Sequence, residues 1–206
     1  MNNKTLISAL LGSVLATPVA GASTTKADPE ATELAASGKE KRTLVPTPGY
    51  KLKTGRAAIF VRPPAAKVRA AVLDYAANPT IMPQFQKAKV LERKPGSARV
   101  YLMLPILKGA ANIWTVQQFV GPTVDGDRET IVGRSLQGNV DALDTRWSIR
   151  AVGPASCVLT ADIHVEPRLP MPPSTIENEA QKAAAQAVLS VRAHAEAPIA
   201  LTAGKP

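Results

Sequence analysis

VEPRLPMPPSTIENEAQKAAAQAVLSVRAHAE, residues 165–196, joins three kinds of chain in one stretch. It leaves a run of alternating apolar residues, passes prolines at 167, 170, 172 and 173, and enters a long alanine-rich segment. Proline fixes φ and removes a backbone donor, so the cluster reads as a rigid corner between two elements. Beyond it, Ser174 and Glu177 stand at the spacing of a capping box, which predicts a helix start there. Ile176, Ala180, Ala183, Ala184, Ala187, Val188, Val191 and Ala195 then mark one face over about five turns. A core-facing helix normally fills space with larger side chains. A stripe made mainly of alanine therefore means either that the helix approaches its partner very closely or that it leaves a gap beneath it.

Upstream of the corner the period is two. Cys157–Glu166 and Leu143–Val152 flank Gly153-Pro154 as a hairpin, and Arg128–Gln137 follows the turn DGD. Asn112–Val120 is a strand closed by Gly121-Pro122, and Ala98–Ile106 and Ala88–Arg93 flank KPGS as another hairpin. Sequential antiparallel strands at these spacings build a curved meander. In front of them, Tyr50–Arg62 ends as a strand that Pro63-Pro64 stops. Pro64 suits the first position of a helix, and Ala65, Val68, Ala71, Val72 and Tyr75 form its apolar stripe. Asn78-Pro79 is expected to end that helix, and the turn TIMPQF then presents Ile81, Met82 and Phe85.

Residues 1–22 read as a secretory signal peptide. Lys4 precedes an apolar run from Leu6 to Ala16, and Ala20-Gly21-Ala22 is a small-residue cleavage site. The run is well short of the roughly 20 residues that span a bilayer. The expected location is therefore outside the cytoplasm, in the periplasm or secreted. Residues 23–48 are small, polar and charged and are expected to be a flexible linker, with a frayed helix near Pro29–Ala36. The folded domain is expected over 49–197, with 198–206 as a disordered tail.

The chain carries a formal charge of +9, and loss of Lys4 with the signal leaves 24 basic against 16 acidic residues, or +8. The charge is dispersed, and the eight aromatics are not interleaved with Lys or Arg as a nucleic-acid surface would require. Nucleic acid is not an expected partner; an anionic membrane surface is the use of this charge that fits an exported protein. One cysteine cannot form an internal disulfide, and Cys157, in an apolar strand, reads as a small buried hydrophobe. Two histidines, His164 and His194, do not make a metal set, and no cofactor is expected. Gly-x-Ser-x-Gly, glycine-rich phosphate loops and dinucleotide fingerprints are absent from the sequence. The polar candidates for chemistry are Arg134, Asn139, Asp141, Asp144, Arg146 and His164. Residues 162, 164 and 166 share a strand face, which assigns His164 to the solvated side.

The phrases VRPPAAKVRAAVLDYAANPTIMPQFQKAKVLER, VYLMLPIL and GNVDALDTRWSIR, followed by the terminal helix, resemble the START-related superfamily. This is the SRPBCC group of polyketide cyclases and lipid-transport proteins, and the resemblance covers about residues 50–196. It implies an α+β helix-grip fold, in which a curved antiparallel sheet wraps a long C-terminal helix around a deep cavity. An enclosed, mainly apolar space is the usual form of a small-molecule site. On that reading Met82, Met103 and Met171 fall near the mouth and walls of the cavity. Phe85, Tyr101 and Val188 line it, Trp114 and Trp147 offer flat walls, and Arg134 points inward to a carboxylate or phosphate head group. The expected function is uptake of a lipid or other hydrophobic small molecule. The alternatives are a cyclase- or dehydratase-type enzyme in which Arg134 or Asp144 assists proton transfer, and an envelope interaction module whose cavity is filled and purely structural.

Overall fold

The computed structural model describes residues 28–106, 111–168 and 170–197. The expected signal peptide and cleavage site over 1–22 and the expected tail over 198–206 lie outside the described residues. Among them, eight strands form one antiparallel sheet: β1 (Lys41–Val45), β2 (Thr54–Val61), β3 (Lys87–Lys94), β4 (Ser97–Ile106), β5 (Ala111–Asp125), β6 (Arg128–Gly138), β7 (Val140–Gly153) and β8 (Ser156–Pro167). Their order across the sheet is β1-β2-β8-β7-β6-β5-β4-β3. Strands β3 to β8 are the expected meander, and β2 returns to pair with β8. The helices are α1 (Pro29–Ser37), α2 (Ala65–Leu73), the short α3 (Asn78–Ile81) and α4 (Pro173–Glu196), with a 3-10 turn at Tyr75–Ala77. This is the helix-grip architecture that the resemblance implied.

Register assigns the two faces of the sheet. Cross-strand partners share a face, so the row Ile59, Leu159, Ile149 and Glu129 points one way, as do Ala57, Ala161, Trp147 and Ile131. This inner face packs against α2 and α4 in the main core, where Ile59, Val68, Ile149, Leu159, Val188 and Val191 are fully buried.

Helix α4 lies over β2 and β8. A Cβ placed on Gly55 would come within 2.2 Å of the Gln181 backbone nitrogen and 2.3 Å of the Ala180 carbonyl carbon. Glycine on the strand and alanine on the helix thus allow backbone-to-backbone contact. Of the two explanations for the alanine stripe, close approach is the one realised here: Ala180, Ala184, Ala187 and Ala195 are buried, joined by Ala185 rather than the half-buried Ala183.

Several local expectations are corrected. The capping box does not form, because Pro172 is the cap residue and places Ser174 inside the first turn. Glu177 Oε1 instead accepts from the Lys53 backbone N–H at 3.0 Å, tying the helix to the approach to β2. The helix after β2 stops at Leu73, and Asp74 accepts from Ala77 N–H to start the 3-10 turn. Asn78-Pro79 opens α3 rather than ending a helix, since proline needs no N–H partner in a first turn. Strand β5 runs through the cis Gly121-Pro122 bond by shifting register between Val120 and Thr123, and continues to Asp125.

The largest correction concerns 23–48. Within it, α1 and β1 are formed, and β1 pairs along β2 from Lys41↔Ala58 to Val45↔Thr54. Asp28 caps α1 by accepting from Ala31 N–H at 3.1 Å, and Gly38 ends it in the left-handed region at φ 63°. Ala31 and Leu34 pack on Ala58 and Val158, on the outer face of β2 and β8. Arg150 holds the start of the helix through Asp28 and Glu30. Two anchoring apolar side chains in a polar segment suffice because the sheet supplies the rest of the cluster.

Candidate functional site

The inner face has two regions. Near α2 it is solid: Val100, Ile131, Ile149 and Val188 keep at most 1% of their surface. Tyr75 stacks on Phe119 with ring centroids 4.5 Å apart, and burial pushes its phenol up to about 12. Cys157 is also on this floor, and burial, reinforced by the charge of Glu129, raises its thiol to about 12. It is inert packing, as its strand pattern indicated.

Towards the opposite strand ends a second apolar cluster is formed by Ile113, Val140 and Leu143, with Leu104, Ile163 and Val165 packed against it. These last three point inward yet are only half-buried. Between the two clusters runs a polar belt. Thr115 and Gln117 are wholly buried on β5, and Ser135 and Thr145 face them from β6 and β7. Thr115 Oγ1 lies 3.3 Å from Ser135 Oγ, and Ser135 Oγ accepts from Leu143 N–H at 2.8 Å. Gln117 Nε2 donates to the Leu143 carbonyl, while its Oε1 accepts from Thr145 Oγ1 at 3.4 Å. Each belt group is held by a neighbour, so the belt is pre-oriented. Sequence reasoning missed these residues. The signal was present in NIWTVQQF, where Ile113, Thr115, Gln117 and Phe119 alternate with the residues on the other face.

The expected ligand-contacting residues divide between the two faces. Met82, Trp147 and Val188 belong to the main core, with Phe85 packed against it. Met171 is half-buried in the corner before α4. Tyr101, Met103, Trp114 and Arg134 are on the outer face, because Val100, Leu102, Ile113, Gly133 and Ser135 beside them point inward. In a strand of period two these four cannot line the inner face. Arg134 Nη1 donates to Asp144 Oδ2 at 2.6 Å on that outer face.

Asp144 also accepts from Tyr50 Oη at 2.8 Å and from Ser135 N–H at 3.0 Å. The bond to Asp144 raises the Tyr50 phenol and the Arg134 guanidinium alike. Tyr50 in turn covers His164, with ring centroids 4.0 Å apart, and His164 Nδ1 lies 3.2 Å from Thr54 Oγ1. His164 is therefore 3% exposed, not solvated. Strand parity correctly gave its face but could not show that the segment before β2 folds over it.

A groove of about 280 Å³ lies elsewhere, against Leu34, Phe60, Arg62, Arg192 and Glu196, where α1 meets the end of α4. Arg192 Nη1 already donates there to the Gly38 carbonyl at 2.9 Å. Among the described residues no group of three or more His, Cys, Asp or Glu could hold a metal ion, and no helix is long and apolar enough to cross a membrane.

A sheet that grips a C-terminal helix, with part of its inner face left open, defines a class, and the comparisons agree. Residues 61–192 match the family described as polyketide cyclase / dehydrase and lipid transport, and the chain belongs to that family. It is similar in structure to a STAR-related lipid transfer protein from Xanthomonas axonopodis, with TM-score 0.65 and 15% identity over 77% of this chain and 94% of that one. A START superfamily protein from Mycobacterium smegmatis gives TM-score 0.60 and 21% identity over 68% of this chain and 95% of the other. A Streptomyces aromatase/cyclase gives 0.56 and 17% identity, covering 76% and 94%. No curated protein sequence matches significantly.

Proposed function

We propose that this protein is an exported, non-catalytic carrier that holds a lipid or other hydrophobic small molecule on the open part of its inner face. The observation that carries this reading is the half-buried apolar cluster of Leu104, Ile163 and Val165 beside the Thr115–Gln117–Ser135–Thr145 belt. An apolar wall with a few fixed polar groups is the usual composition of a small-molecule site. The family description and the lipid-transfer relative support it, as does the signal-like N-terminus for the export part. The cyclase alternative draws no support from Arg134 or Asp144, which neutralise each other on the outer face.

The test is displacement of a fluorescent fatty-acid probe from the purified protein. Ile163→Trp puts bulk into the open cluster and is expected to weaken the probe by about tenfold, a loss of about 1.4 kcal/mol, with an unchanged circular dichroism spectrum. Undiminished binding in a folded Ile163→Trp protein would move the ligand away from this face.

A further inference from the structure

The outer face of β3 to β5 carries a second surface. Lys87, Met103 and Trp114 form one cross-strand row, and Lys89, Tyr101 and Val116 the next. Both lysines are exposed, and among the described residues neither makes an ion pair. The Tyr101 and Trp114 rings stack at 6.1 Å, and Tyr101 Oη donates to Met103 Sδ at 3.7 Å. Leu136, at the β6 bulge beside Val116, is 55% exposed. The two rows contain no carboxylate. On the next row Glu92 is already occupied by Lys94 at 2.6 Å and Arg99 at 3.2 Å.

We propose that this patch docks the protein on the surface of an anionic lipid bilayer. Trp and Tyr combine an apolar body with a polar end and favour the level of the head groups, where a flat pair of rings can insert. Unpaired lysines flanking them meet the negative surface potential of such a bilayer. About six side chains make a small area for a stable protein–protein interface, which takes 20–30 residues a side. The patch lies at the strand ends where Leu104 and Val165 leave the inner face open, so docking here would set that opening near the lipid surface. Docking needs no ligand on the inner face, and the two readings therefore fail separately.

The experiment is co-sedimentation of the full chain with phosphatidylcholine vesicles, alone or mixed equally with phosphatidylglycerol. Binding is expected only to the mixed vesicles and is expected to fall as salt is raised. The double variant Lys87→Ala, Lys89→Ala should lower the partition coefficient by about thirty-fold, from the contribution of two lysines. Trp114→Ser should also weaken it. Because both lysines are exposed, the double variant keeps the test valid even if the tryptophan variant misfolds. Equal binding to neutral vesicles, or unchanged binding by the lysine variant, would overturn the proposal. So would self-association of the natural chain that Trp114→Ser abolishes, which would assign the patch to a protein interface.

Discussion

Gly55 shows how one residue sets the position of the lid helix. Any side chain there meets the Ala180–Gln181 backbone, and backbone cannot swing aside as a flexible side chain would. Gly55→Ala should cost about 1–3 kcal/mol by overpacking, read as a lower urea midpoint. A loss below 0.5 kcal/mol would contradict the close contact. Cys157 and Tyr75 add a pH dependence. Their folded pKa values are raised to about 12 from ordinary values of 9.0 and 10.0. The folded state keeps its protons longer than the unfolded chain, so their contribution is fully present below pH 9 and is lost as pH rises towards about 12. The urea midpoint should decline across that window, less steeply in Cys157→Ala, and thiol labelling of the natural protein should follow unfolding.

Helix α1, expected only as a frayed helix near Pro29–Ala36 in a flexible linker, is the element whose firm packing is most instructive. Its composition is that of a linker, and hydrophobic content alone gave no reason to fold it. Its signals were local: Asp28 before Pro29, Leu34 one turn on from Ala31, and Gly38 at the end. Leu34 is 2% exposed, so Leu34→Ala should cost about 2–4 kcal/mol, measurable by thermal denaturation; an unchanged midpoint would return 29–38 to linker status. Strands β3 to β8 were legible because period-two alternation survives wherever one face is buried. The false capping box at Ser174 has a different cause: the spacing was right, but Pro172-Pro173 started the helix before the serine could act as its cap.

At the scale of the whole molecule, the succession of strands β3 to β8 and the long terminal helix were readable because turns and periodicity are local properties, whereas the pairings of β1 with β2 and of β2 with β8 were not. The binding face was less so. Parity divides a strand into two sets without saying which is inside, and Trp114, Met103 and Tyr101 are large enough to suggest the interior while lying on the outside. The less conspicuous Thr115 and Gln117 are the inner residues, wholly buried and hydrogen-bonded. A bound amphiphile would place its apolar part on Leu104, Ile163 and Val165 and its polar part on the belt. Thr145→Val, which keeps the shape and removes one hydroxyl, should then weaken a fatty-acid probe more than it weakens a hydrocarbon of similar length, as read by parallel titrations. Equal effects on the two would remove the belt from recognition.

The most direct measurement is native mass spectrometry of the protein purified from its own cells, followed by solvent extraction. A carrier is expected to arrive with a stoichiometric lipid-sized adduct that extraction releases and that Ile163→Trp lacks. A single apo mass in the natural protein, together with no uptake of added fatty acid or phospholipid, would contradict the account.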